Sequence, residues 1–146
     1  MTKAEFDVKK EAISRYHAGM QRVLAYIDEH LDDDLRVEVL SGVAVFSKYH
    51  FHRQFSELFG ISVNRYVQLV RLKRASYRLA FREDESITQI ALDSGYETPE
   101  SFSRAFKQRM AQTPSAFRAE PQWVSWQAAY GSLRVRRDGA SGASER

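Results

Sequence analysis

The stretch Phe46-Ser-Lys-Tyr-His-Phe-His-Arg-Gln-Phe55 gathers two histidines, a lysine, an arginine and a tyrosine within ten positions. Paired imidazoles suggest a metal site, whereas a mixed aromatic and basic set suggests contact with a polyanion. The metal reading needs His50 and His52 to converge. On a helix, residues two apart point about 200° from each other, so these two cannot share an ion. His17 and His30 lie on a different predicted helix, and Asp32-Asp33-Asp34 reads as a solvated turn. No metal site and no cofactor is expected. The chain has no cysteine, which removes disulfides, thiolate zinc and a cysteine nucleophile. It also lacks a glycine-rich phosphate loop and a nucleophile-elbow sequence, so no enzyme activity is expected.

Charge is unevenly placed along the 146 residues. The net charge is −3 over residues 1–35, +5 over 36–118 and +1 over 119–146, for a total of +3. A basic middle fits a polyanion partner, and ordinary surface scatter would give the same figure. No apolar run approaches the length of a membrane span, and the amino terminus lacks the apolar segment of a signal peptide. The expectation is a soluble cytoplasmic protein with no membrane partner.

The elements that must position these side chains are helices. Met20, Val23, Leu24, Ile27 and Leu31 form one apolar stripe, predicting a helix over about 16–31. A short helix over about 36–44 follows, with Val37, Leu40 and Ala44 inward. Ser47 then caps a helix over about 48–58, ended by Gly60. Ser62 starts a long helix over about 63–82 with Tyr66, Val67, Val70 and Leu79 inward. Its polar side carries Arg65, Arg71, Lys73, Arg74, Arg78 and Arg82. Ser86 and Gln89 match a capping box. Thr98-Pro99 and Thr113-Pro114 each place a proline in the first turn of a helix. The fold class is all-α. No strand-like alternation occurs before residue 132.

An internal repeat carries the functional reading. Leu40-Ser41 followed by Ala44-Val45-Phe46-Ser47 parallels Ile90-Ala91 followed by Ser94-Gly95-Tyr96 and the capping Thr98. Beyond the cap, Phe51-x-Arg53-x-Phe55 parallels Phe102-x-Arg104-x-Phe106. Each copy reads as a helix-turn-helix. If the phenylalanines at spacing four are buried, Tyr49, His52 and Arg53 point outward in the first copy. Glu100, Ser101 and Arg104 do so in the second. These side chains can donate to, accept from or stack on base edges.

The segments FSKYHFHRQF, RYVQLVRLKRASYRLA, ITQIALDSGYETPESFSRAFKQRM and TPSAFR resemble the DNA-binding domain of the AraC/XylS family of bacterial transcription regulators, over residues 14–118. The resemblance implies two helix-turn-helix subdomains joined by a long connecting helix. The first spans about 36–60, the connecting helix about 62–82 and the second about 86–111. Residues 1–13 form an N-terminal extension and 119–146 a C-terminal tail. It implies that Tyr49, His52, Arg53, Glu100, Ser101 and Arg104 contact bases of double-stranded DNA. Phosphate contacts are expected from Ser47, Lys48, His50, Arg71, Lys73, Thr98 and Lys107. His50 also reads as a packing residue. An activator contacting RNA polymerase is implied, with one monomer sufficing for DNA.

Two positions depart from the family pattern. Val45 stands where the family has glycine, which predicts an adjusted or strained first turn. Acidic Glu100 opposes phosphate attraction, though glutamate can accept from cytosine N4. The alternative reading is a protein-binding helical module, such as an antirepressor, with no DNA affinity of its own. In the tail, SLRVRRDG resembles the opening strand of a gyrase-inhibitor-like effector domain. A tail packing Trp123 or Trp126 on the helical core is the other reading.

Overall fold

The structure, a computed structural model, describes residues 2–137, with side chains described as far as 131. Its described residues form eight helices and no strand. They divide into two compact units, one up to Val67 and one from Gln68. The division falls inside the connecting helix.

The first unit opens with α1, Lys3–Glu29. It starts well before the apolar stripe that predicted it. Thr2 Oγ1 accepts from the Glu5 amide at 3.1 Å, and Glu5 Oε1 accepts from the Thr2 amide at 2.8 Å. This reciprocal cap starts a helix whose first turns are exposed, and burial begins only at Gly19. The helix also ends earlier than the stripe implied. At His30 the ring folds back, with Nδ1 2.9 Å from the Tyr26 carbonyl, so Leu31 falls outside the helix and is only half-buried. Leu35 is buried just beyond.

Helix α2, Val37–Ala44, and helix α3, Lys48–Phe59, complete the first helix-turn-helix. The turn between them passes close to α1. A Cβ on Gly19 would stand 2.9 Å from the Ala44 carbonyl oxygen, so only glycine permits this approach. Phe51, Phe55 and Phe59 bury one face of α3. Phe55 and Phe59 pack on Tyr66, at the start of α4, with ring centroids 5.4 and 5.7 Å away. Burying each such ring stabilises by about 1.5–3 kcal/mol.

Helix α4, Val63–Phe81, runs from the first unit into the second. The second unit continues with α5 (Ile87–Asp93), α6 (Pro99–Met110), α7 (Pro114–Ala119) and α8 (Trp123–Arg137). Leu72, Leu79, Ile90, Phe102, Phe106 and Phe117 are buried in its core. Phe106 meets Phe117 edge-on at 5.5 Å. The capping box expected at Ser86 forms by half. Ser86 Oγ accepts from the Gln89 amide at 3.0 Å, but the Gln89 side chain turns to Asp93 Oδ1 at 2.8 Å.

The tail corrects the strand expectation. Leu133 and Val135, read as alternation, lie within helix α8. Three residues of alternation are a weak signal beside Trp126 and Tyr130, whose spacing of four draws the segment onto the core as a helix. The rest of the strand-like segment, from Asp138, lies outside the described residues.

Candidate nucleic-acid interface

Burial of the phenylalanine face decides what α3 presents. Phe51 and Phe55 are fully buried, so Tyr49, His52 and Arg53 stand exposed on the opposite side, Tyr49 at 75%. Arg53 Nε lies 3.3 Å from Glu57 Oε2, an exposed pair one helical turn apart that competes little with a better partner. Lys48 Nζ lies 3.3 Å from Glu38 Oε2, also exposed. The Ser47 hydroxyl accepts from the His50 amide at 3.2 Å. The His50 ring packs edge-on against Phe46 at 5.0 Å. The face is a tyrosine, an imidazole and a guanidinium over a rigid aromatic base. That combination can stack on bases and donate bidentately to guanine.

Helix α6 repeats the scheme with different chemistry. Phe102 and Phe106 are fully buried, and Glu100 and Arg104 are exposed. Ser101 is only half-buried, and its hydroxyl donates to the Thr98 carbonyl at 2.9 Å, so its hydrogen turns toward the helix start. Thr98 Oγ1 accepts from the Ser101 amide at 3.1 Å. Lys107 is exposed near the far end of the helix.

The connecting helix differs from its sequence reading. Its row of cations is no open basic face. Arg78 Nε donates to Glu85 Oε1 at 2.6 Å and its Nη2 to Asp93 Oδ2 at 2.8 Å, with only 19% of the side chain exposed. Arg74 Nη2 donates to the Asp93 carbonyl at 2.8 Å. Arg71 lies half-buried against the α5–α6 turn, its Nη1 3.4 Å from where a Cβ on Gly95 would stand. Lys73 is half-buried, with Nζ 5.7 Å over the Trp126 ring. Arg65 and Arg82 remain on the surface.

Two arginines, one on α1 and one on α4, have a role that an amphipathic pattern does not show. Arg22 on α1 donates from Nε to the Val43 carbonyl at 3.2 Å and from Nη2 to the Ala44 carbonyl at 3.3 Å. Arg74 on α4 does the same for the end of α5. Each guanidinium satisfies last-turn carbonyls, which carry the negative end of the helix dipole. The signal was present: a basic residue about twenty positions before each turn. The hydrogen bond from Arg78, and next that from Gln89, holds the Asp93 carboxyl below the ordinary aspartate range. That charge network fastens α5 to α4.

Comparison with known proteins places the same segments together. A family described as "Helix-turn-helix domain" matches residues 40–120. The uncharacterized HTH-type transcriptional regulator YbfP of Bacillus subtilis is 37% identical over 103 residues, covering 70% of this chain and 35% of that protein. The right origin-binding protein of Escherichia coli K12 is 33% identical over 110 residues, 75% of this chain and 38% of its own length. The chain thus spans little more than a third of these curated relatives. Among solved structures, the DNA-binding domain of the global transcriptional factor AdpA, crystallised with a target DNA, superposes with a TM-score of 0.61 at 27% identity. That match covers 75% of this chain and 93% of the domain. An AraC-type regulator from Chromobacterium violaceum shares the fold, with a TM-score of 0.65 over 72% of this chain and 96% of its own at 23% identity.

Proposed function

The chain belongs to the AraC-type family of helix-turn-helix transcription regulators, and on that premise we propose that it binds double-stranded DNA sequence-specifically and activates transcription from the bacterial cytoplasm. Its role is binding rather than catalysis. The DNA-binding domain spans residues 14–118, between an N-terminal extension and a C-terminal tail. Helices α3 and α6 are the two reading helices, each entering one of two successive major grooves. One observation carries this reading. Both repeats bury a phenylalanine pair completely and leave Tyr49, His52 and Arg53 on one helix and Glu100 and Arg104 on the other exposed. The AdpA domain, which was crystallised with target DNA, supports it at 27% identity.

In this reading the base contacts come from Tyr49, His52, Arg53, Glu100, Ser101 and Arg104, with Arg53 and Arg104 dominant. A bidentate arginine on guanine discriminates by about 1–3 kcal/mol. Phosphate contacts come from Ser47, Lys48, His50, Thr98 and Lys107 around the helix starts and ends. Arg71 and Lys73 join them only by leaving their places against the α5–α6 turn and Trp126. An activator of this kind contacts RNA polymerase, and one monomer carries both reading helices.

The test is salt-dependent binding. Affinity for a selected duplex should fall with salt, with a log–log slope of about −0.9 for each phosphate neutralised. Footprints should show two protected grooves about 10 bp apart on one face, without palindromic symmetry. Absence of duplex binding at low salt would favour the protein-binding module instead. A symmetric site filled only by a dimer would overturn the monomer reading.

A further inference from the structure

The family match ends at Glu120, and α8 starts just beyond it at Trp123. This helix is nonetheless built into the second unit. Trp126 Nε1 donates to Ser76 Oγ at 2.8 Å, and Ser76 is fully buried on α4. Trp123 stacks on Phe81 at 5.7 Å and meets Phe117 edge-on at 5.5 Å. Tyr130 is 1% exposed. The Arg109 guanidinium lies 5.6 Å from its ring centroid and donates to the Ala129 carbonyl.

Arg109 matters because of where it stands. It is in the last turn of α6, five residues after Arg104. A basic residue there would ordinarily offer its charge to solvent or phosphate, yet this one is half-buried and spent on α8. The repeat shows what α8 replaces. Phe59 packs on Tyr66 in the first unit, and the equivalent positions in the second are Met110 and Phe117, both buried. Tyr66 belongs to a helix of 19 residues, whereas Phe117 belongs to one of six that ends at Ala119, just before Pro121. Something else must hold the far end of α6, and α8 is packed there.

We infer that α8 is a positioning element of the second reading unit, with Arg109, Tyr130 and Trp126 fixing the placement of α6 and so the approach of Arg104 and Glu100 to the base edges. The inference rests on the reading of α6 as a DNA-reading helix. Base contacts tolerate displacements of only about 0.5 Å before they weaken, so a support at the end of the helix affects discrimination at its start.

The experiment compares Tyr130→Ala, Trp126→Phe, Ser76→Ala and Arg104→Ala, each in the 146-residue chain, with the parent on a panel of single-base substitutions. It is run at a temperature where circular dichroism shows each protein folded. Arg104→Ala marks the base positions that α6 reads. Tyr130→Ala should flatten preference at those positions by about five- to tenfold while leaving the α3 positions unchanged. Ser76→Ala removes the acceptor of the Trp126 indole, and its own bond to the Lys73 carbonyl, with little change of volume. Trp126→Phe removes the same indole donor together with part of the ring's packing, so these two carry the test if Tyr130→Ala does not fold. Both should show the same selective flattening in smaller degree. A folded variant that keeps full preference at the α6 positions, or loses both sets equally, would overturn the positioning role and leave α8 as core cover. A parent that binds no duplex would instead overturn the DNA reading itself, and that is seen before any variant is compared.

Discussion

Val45 and Gly95 occupy the same place in the two repeats, and both adopt a left-handed backbone, at φ 61° and φ 91°. The first is β-branched and 78% exposed. Its side chain recovers little by burial for the strain it accepts. The turn after α2 is therefore built against the preference of its own residue, held by the Phe46 amide donating to the Ser41 carbonyl at 3.0 Å. The glycine turn has the equivalent bond, from Tyr96 to Ala91 at 3.2 Å.

Val45→Gly should stabilise the first unit. A left-handed conformation costs an L-residue about 1–2 kcal/mol, and the extra unfolded-state freedom of glycine returns up to about 1 kcal/mol of that. A net gain of about 0.5–1 kcal/mol is expected, read as a higher denaturant midpoint with unchanged slope. Gly95→Val should destabilise the second unit.

Acid should loosen the second unit through Asp93. Its carboxyl is held below the ordinary value by the Arg78 hydrogen bond, then by Gln89. A depressed carboxylate contributes stability that is fully present above the unfolded value, about 3.9, and is lost as pH falls through the folded value beneath it. Asp93→Asn should therefore be less stable than the parent at neutral pH, with the difference shrinking below about pH 4. Amide exchange in α5 and α6 across that range measures it. A difference that stays constant with pH would assign the loss to packing.

The two phenylalanine pairs should separate the units energetically. Phe51→Ala and Phe102→Ala each open a cavity in a different core, at roughly 3–5 kcal/mol. Exchange protection should collapse first in α2 and α3 for Phe51→Ala and first in α5 and α6 for Phe102→Ala. Simultaneous loss in both would show a single cooperative core.

Much of this was legible in the residues. Ser47, Ser62, Ser86, Thr98 and Thr113 each stand just before a helix, and each hydroxyl accepts from the amide three residues on. Local chemistry of that kind does not depend on tertiary contacts. The start of α1 was missed because a cap without an apolar stripe behind it, Thr2 with Glu5, is easily passed over. Arg74 and Arg78 on α4 were misread for the opposite reason. Their spacing matches a solvated face, and the groups that claim Arg74 and Arg78, the Asp93 carbonyl and carboxylate and Glu85, lie on other segments. Pairings across elements leave no periodic trace.

The most specific prediction concerns the exposed face of α3. Among the described residues, Arg53 pairs with Glu57 in an exposed ion pair, so its guanidinium is available to a base edge at small cost. Arg53→Ala should lose about 1–3 kcal/mol of affinity, concentrated at one or two base positions. Its melting should stay near that of the parent, because Phe51 and Phe55 are untouched. Lys107→Ala should instead weaken all sequences alike and reduce the salt slope by about 1. Lys73→Ala should act mainly on stability, since the ammonium lies over Trp126 rather than on an open face. Binding of each variant to single-base substitutions, with melts alongside, separates the three outcomes. If Arg53→Ala keeps full affinity and full base preference, α3 does not read DNA through this residue, and Tyr49 and His52 become the residues to replace next.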